Sequence, residues 1–191
     1  MRIIAADDTK LHINFLRSTI EKLNSTNAIG EEVELISTCE NGQRLFQEVT
    51  ANQDALNLIL CDIRMPICDG LTALVRIKQQ FSYIPMIMVS SESPKTILNM
   101  NQLRGAKQNL ALEDTKKEEL LNKVVQRIRT DKSEPGKINS ILEACEKLGL
   151  DPIFTAMKMG AQGYVSKPYD VNKLTDIITR HIAGEEFPVS A

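Results

Sequence analysis

The chain has 191 residues, 42% hydrophobic and 25% charged, with a formal net charge of −2: the composition of a globular protein of one domain, or one domain with an embellishment. That balance gives no electrostatic case for nucleic acid or an anionic membrane surface, and no apolar run approaches the ~20 residues of a membrane span. Cys39, Cys61, Cys68 and Cys145 form neither a CxxC pair nor a zinc spacing, and the start, MRIIAADD, is unlike a signal peptide, so they read as reduced thiols of a cytoplasmic protein.

Residues 2–6, RIIAA, read as a buried strand ending in the acidic pair Asp7-Asp8. Thr9 or Asp8 is placed to cap a helix running to about Asn24, with Leu11, Phe15 or Leu16, Ile20 and Leu23 on its apolar face. Residues 33–38, VELIST, suggest a second strand, and after Asn41-Gly42 the run GQRLFQEVTA reads as a short helix. Leu58, Ile59, Leu60 and Cys61 then drive into one acid, Asp62. So short and continuous an apolar run fits a strand buried on both faces. A carboxylate cannot lie unpaired in such a core, which puts Asp62 at the strand's carboxyl end, facing a crevice. After Gly70, LTALVRIKQQF reads as a helix with Leu71, Leu74, Val75 and Ile77 available to the sheet. Pro85 opens a fourth strand, PMIMVSS; GYVSKP is a fifth, and VNKLTDIITRHIA a final helix with Asp170 as a candidate cap.

Strands alternating with helices imply right-handed crossovers and a parallel sheet. The expected fold is therefore α/β, a doubly wound five-stranded parallel sheet. One interval is irregular. Ser90 and Tyr164 are 74 positions apart, whereas one helix with its loops needs only ~20 residues. The surplus, about 95–149, carries two apolar helical stripes. One holds Leu120, Leu121, Val124, Val125 and Ile128; the other holds Ile138, Ile141, Leu142, Cys145 and Leu148. Glu134-Pro135-Gly136 separates them as a turn. A helical insertion is expected here, carrying 11 Lys/Arg against 8 Asp/Glu, or +3.

The polar residues at the strand ends are the informative set. They are Asp7-Asp8, Asp62, Ser90-Ser91 and Lys167-Pro168, and a parallel sheet brings all these ends to one edge. Three carboxylates on one edge repel and favour a divalent cation. Oxygen ligands suit Mg²⁺, which keeps waters and recruits phosphate. A lysine and a hydroxyl beside them make sense if a phosphoryl group sits on Asp62, since an aspartate carboxylate is an accepted nucleophile for it.

With these pieces in place the chain resembles the receiver domain of two-component response regulators, the CheY-like, flavodoxin-like fold. The matching stretches are Asp7-Asp8, CDIRMPICDGL around Asp62, PMIMVSSE with Ser90, and GAQGYVSKPYD with Tyr164 and Lys167. The resemblance covers about residues 1–93 and 151–184. It implies a receiver over 1–184, interrupted by the 95–149 insertion and followed by a tail at 185–191. It also implies roles. Asp62 would be the phosphoacceptor, with Asp7, Asp8 and the Arg64 backbone carbonyl joining it as Mg²⁺ ligands. Ser90 would be the switch hydroxyl, Tyr164 the switch aromatic and Lys167 the phosphoryl-binding lysine, with a cis Lys167–Pro168 bond. A histidine kinase or phosphotransfer protein would donate the phosphoryl group. The reader would be a protein target at the face of the fourth helix, fifth strand and fifth helix, or at the insertion. A homodimer is a further candidate, and the chain would be a switch rather than a turnover enzyme.

Plainer readings compete. Asp62 could merely cap a helix, Asp7-Asp8 could form a turn, and Tyr164 could be a half-buried strand aromatic. His12 and His181 read as surface or satisfied side chains. Strand alternation does not choose between Ser90 and Ser91; the family spacing favours Ser90. Arg64 and Glu92, each two positions after a site residue, are expected to contact each other and shade Asp62 from water. A haloacid-dehalogenase-type Mg²⁺-dependent phosphatase would also use an Asp nucleophile, a Ser and a Lys. That family, however, normally has a second Asp where Arg64 stands. A non-phosphorylated pseudo-receiver would not explain a complete set of site residues. A flavin-binding flavodoxin-like protein lacks its phosphate loop here.

Overall fold

A computed structural model of the chain describes residues 1–91, 116, 119, 121–126, 138, 143, 150–168 and 171–185. Most of the 95–149 segment, Glu92, Asp170 and residues 186–191 lie outside the described residues. The elements are β1 (Arg2–Ala6), α1 (Lys10–Ser25), β2 (Glu34–Cys39), α2 (Gly42–Asn52), β3 (Leu58–Asp62), α3 (Gly70–Gln80), β4 (Met86–Ser90), α4 (Pro152–Met159), β5 (Gly163–Ser166) and α5 (Val171–Ala183). All strand pairs are parallel, in the order β2-β1-β3-β4-β5. This is the doubly wound arrangement expected from the alternation of strands and helices.

Strand side chains alternate between two buried layers. Ile3, Ala5, Leu58, Leu60, Ile87, Val89 and Val165 meet Leu16, Ile20 and Leu23 of α1 and Leu174, Ile177 and Ile178 of α5. Ile4, Ala6, Ile59, Cys61, Met86, Met88 and Tyr164 meet α2, α3 and α4 on the other side. A sheet covered on both faces needs continuous apolar strands, which is why β3 and β4 are buried at every position.

Helix starts are fixed locally. Asn41 accepts from the Arg44 N–H, Asp69 from the Thr72 N–H, and Asp151 from the N–H groups of Ile153 and Phe154. Thr9 stands at the N-cap of α1, but its hydroxyl turns to Asp8 instead of capping. The expected apolar face of α1 needs one correction. Leu16, Ile20 and Leu23 are buried, Leu16 rather than Phe15 taking the position the sequence left open, whereas Leu11 faces solvent. Leu11 lies about 140° round the helix from Leu16, off the buried stripe, whereas Ile13 in the same turn packs against the core.

Part of the unmatched interval belongs to the core. Residues 121–126 are helical, and Leu121, Val125 and Ile138 are buried in the same cluster as Phe81, Ile153 and Tyr164.

Candidate functional site

Parallel register delivers the site. Ala6 pairs with Cys61, Asp62 with Val89, and Ser90 with Ser166. The residues that follow β1 and β5, Asp7 and Lys167, therefore emerge on the edge where β3 ends in Asp62. The Lys167 ammonium lies 2.6 Å from Asp7 Oδ2 and 2.8 Å from Asp62 Oδ2. With its side chain only 5% exposed, Lys167 is not a solvated surface lysine. The Lys167–Pro168 bond is cis, as expected. Burial pushes the Asp62 carboxyl above its ordinary pKa; the hydrogen bond and charge of Lys167 oppose this, and Asp7 adds to it.

Carboxylate oxygens of Asp7, Asp8 and Asp62 lie within 4.8 Å of one another, close enough to share one cation. Asp7 and Asp62 are buried; Asp8 is exposed. The Arg64 backbone N–H donates to the Asp62 carboxylate, while its side chain is exposed. A crevice of about 590 Å³ opens beside the acidic pair, lined by Asp7, Asp8, Lys10, Asn14 and Asn41 among others.

Ser90 is buried and Ser91 exposed, which separates the two hydroxyls that the sequence left open. The Ser90 carbonyl accepts from the Lys167 N–H at 2.8 Å and from the Tyr164 hydroxyl at 3.5 Å. Tyr164 is fully buried. One carbonyl thus joins the lysine's backbone to the aromatic behind it.

The loop from β3 to α3 is tight. Gly70 donates its N–H to the Ile63 carbonyl, and Ile67 takes a left-handed φ of 67° with its side chain exposed. That conformation is unusual for a β-branched residue.

Sequence reasoning missed His12. Its Nδ1 lies 3.1 and 3.2 Å from the two Asp7 oxygens and 3.2 Å from the Lys167 ammonium. The available signal was its position. It is the third residue of α1, and helical side chains lean back toward the N-terminus, here toward Asp7.

These features define a doubly wound α/β domain with an acid-and-lysine pocket at the carboxyl edge of its sheet. The response regulator receiver domain family matches over residues 3–125, and the chain belongs to that family. It is 31% identical over 97 residues to a glycerol metabolism activator of Pseudomonas putida, covering 51% of this chain and 40% of that protein. It is 29% identical over 94 residues to a protein-glutamate methylesterase/protein-glutamine glutaminase of Syntrophomonas wolfei, covering 49% and 24%. The chain thus spans less than half the length of either relative. Among solved structures it resembles a LuxR-family two-component response regulator from Aurantimonas sp. SI85-9A1, with a TM-score of 0.58, 13% identity, and 98% and 88% of the two chains covered. It also resembles a response regulator receiver domain protein from Clostridium thermocellum, with a TM-score of 0.55, 17% identity, and 96% and 94% covered. At these identities the structural likeness speaks for the fold.

Receiver domains take phosphoryl groups from histidine kinases and bind Mg²⁺ at an acidic pocket; Asp7, Asp8 and Asp62 form the acidic cluster of this chain. As a class they are switches and not turnover enzymes. Among the described residues, no helix is long and apolar enough to cross a membrane.

Proposed function

We propose that Asp62 accepts a phosphoryl group from a histidine kinase or phosphotransfer protein, and that the modified chain then presents a changed face to a protein partner. The observation behind this reading is the buried Lys167 ammonium held between the Asp7 and Asp62 carboxylates. A carboxylate oxygen of Asp62 attacks phosphorus. The bond from phosphorus to the donor's nitrogen or oxygen breaks, and that atom leaves with the electron pair. Lys167 exchanges its contact with the Asp62 carboxylate for one with a phosphoryl oxygen, and the Ser90 hydroxyl takes another.

Asp7, Asp8, Asp62 and the Arg64 backbone carbonyl would hold Mg²⁺. The set fits a hard cation, because its members offer oxygen ligands and the carboxylates lie close together. Bound there, Mg²⁺ would offset the charge of the transferred phosphoryl group.

Ser90 and Tyr164 are the switch pair in this reading. They already share the Ser90 carbonyl, so a displacement of Ser90 reaches Tyr164 directly. The face that responds comprises α4, β5 and α5, which a target protein or a second copy of the chain would read. The 95–149 segment is an insertion into a receiver spanning 1–184, followed by a tail at 185–191, and it offers a second partner surface. A cytoplasmic location suits this exchange with a kinase.

Incubation with Mg²⁺ and a small acyl phosphate, followed by intact mass and sizing, tests the reading. The wild type should gain one phosphoryl group and Asp62→Asn none. Equal uptake by both would sink it. Repeated turnover of phosphate esters would instead favour the phosphatase.

A further inference from the structure

The crevice beside the acidic pair holds charges that the protein leaves apart. Its volume of about 590 Å³ is that of a small-molecule site. Lys10, Asn14 and Arg17 line it at helical spacing on one face of α1, and α2 supplies Gln43 and Gln47. Arg17 Nη2 donates to the Thr38 hydroxyl at 3.3 Å, near the end of β2. Arg44, by contrast, is paired with Glu48 at 2.8 Å. Among the described residues, Lys10, Arg17 and Glu40 make no ion pair, although all three line the crevice.

Asn41 adds a hydrogen-bond donor. The residue is only 7% exposed, and its Oδ1 is engaged by the Arg44 N–H at the start of α2. Its Nδ2 donates to none of the described residues. Among those residues no fully buried side-chain nitrogen is left without a partner. The Asn41 amide nitrogen therefore opens into the crevice that Asn41 lines.

We propose that this crevice binds a small zwitterion of the amino-acid and short-peptide class, its carboxylate on Arg17, Lys10 and Asn41 Nδ2 and its ammonium on Glu40. A guanidinium fork, an ammonium and an amide N–H together select an anionic group. The carboxylates of Glu40 and Asp8 disfavour a ligand that is anionic throughout, such as phosphate, and favour one with a cationic far end. No aromatic side chain lines the crevice to stack a nucleobase. The amides of Asn14, Gln43 and Gln47 each offer a donor and an acceptor, as a peptide group requires. Binding here needs neither Mg²⁺ nor a phosphoryl group, so it stands apart from the reading of Asp62.

Titration of the metal-free protein with alanine, dialanine and trialanine, followed by ¹H–¹⁵N spectra, tests this. At least one of the three should give saturable shifts that include the Asn41 side-chain amide. Blocking the tightest of them by N-acetylation, or by amidation of its carboxylate, should weaken it about tenfold in each case, the order for losing one hydrogen bond to a charged group. Arg17→Gln should weaken the free ligand by a similar factor and leave the amidated form unchanged. Glu40→Gln should remove the distinction between the free and the N-acetylated ligand. Both side chains are exposed, so neither substitution should disturb folding. Absence of saturable shifts with all three zwitterions overturns the proposal. Equal binding of the blocked forms, or tighter binding of inorganic phosphate, overturns it as well.

Discussion

Gly70 is packed against the carbonyl of Asp62 so closely that a Cβ at Gly70 would overlap the Asp62 oxygen and crowd Ile63 Cα. The first residue of α3 thereby sets how far β3 can extend before the chain turns. Both obstructing atoms are backbone, so no side chain can move aside. Gly70→Ala should cost about 3 kcal/mol or more, the upper range for overpacking a fixed site. It should also lower phosphoryl uptake, because the strand end carrying Asp62 must shift. Urea denaturation checks the first effect and intact mass the second. A variant as stable as wild type would show that the loop is freer than its packing implies.

Removing the ammonium should expose the repulsion it masks. Lys167→Met leaves the buried Asp7 and Asp62 carboxylates facing each other, and breaking a buried pair costs about 3–5 kcal/mol. Without divalent cation the variant should be destabilised by this order. Added Mg²⁺ should then restore more stability to the variant than it gives the wild type. Parallel denaturation curves with and without Mg²⁺ read the difference directly. Equal Mg²⁺ responses would argue against a shared anionic pocket.

Lys78 offers a pH test far from the site. Its ammonium donates to the Ile84 carbonyl at 2.5 Å and to Gln162 Oε1 at 3.0 Å. Burial lowers its pKa from 10.5 to about 8. A lysine depressed in the folded state binds fewer protons there than in the unfolded chain. Stability from this group therefore rises as pH increases from about 8 toward 10.5. Subtracting the Lys78→Met curve from that of wild type should isolate this upward trend. A flat difference would mean the charged form is fully accommodated.

The interval between β4 and α4 can be divided by mutation. Leu121 and Ile138 are fully buried in the main cluster, whereas Asn122 and Lys123 are exposed. Leu121→Ala should cost about 2–5 kcal/mol. Lys123→Ala should stay within about 0.5 kcal/mol. Both are read from the global unfolding transition. If Leu121→Ala left that transition unmoved, this stretch would be an independent appendage.

The sheet was legible because a two-sided sheet writes an unmistakable signal. Leu58 to Cys61 and Met86 to Val89 are unbroken apolar runs, and each ends in a polar residue. The strand ends point to one edge for Asp7, Asp62 and Lys167, and there the ammonium meets both carboxylates. Leu11 misled through its apolar character alone, since the helical period sets it well round the axis from Leu16, Ile20 and Leu23. The helix Pro152–Met159 escaped assignment through its shortness, although Asp151, Pro152 and Gly160 mark its ends. His12 was invisible for another reason. One imidazole in an amphipathic helix has no pattern, and its partner Lys167 lies 155 positions away. The expected Arg64–Glu92 contact and the Asp170 cap each involve a residue outside those described, Glu92 and Asp170.

That long separation shapes the birth of the protein. A ribosome releases the acids of β1 and β3 well before the lysine that will face them. Until β5 docks against β4, the nascent chain must tolerate carboxylates with no ammonium between them, by leaving that edge hydrated or sharing a cation there. The last strand therefore closes the sheet and the charge balance in one event. An emerging chain halted short of Lys167 would carry most of the fold's pattern and none of its neutralised pocket.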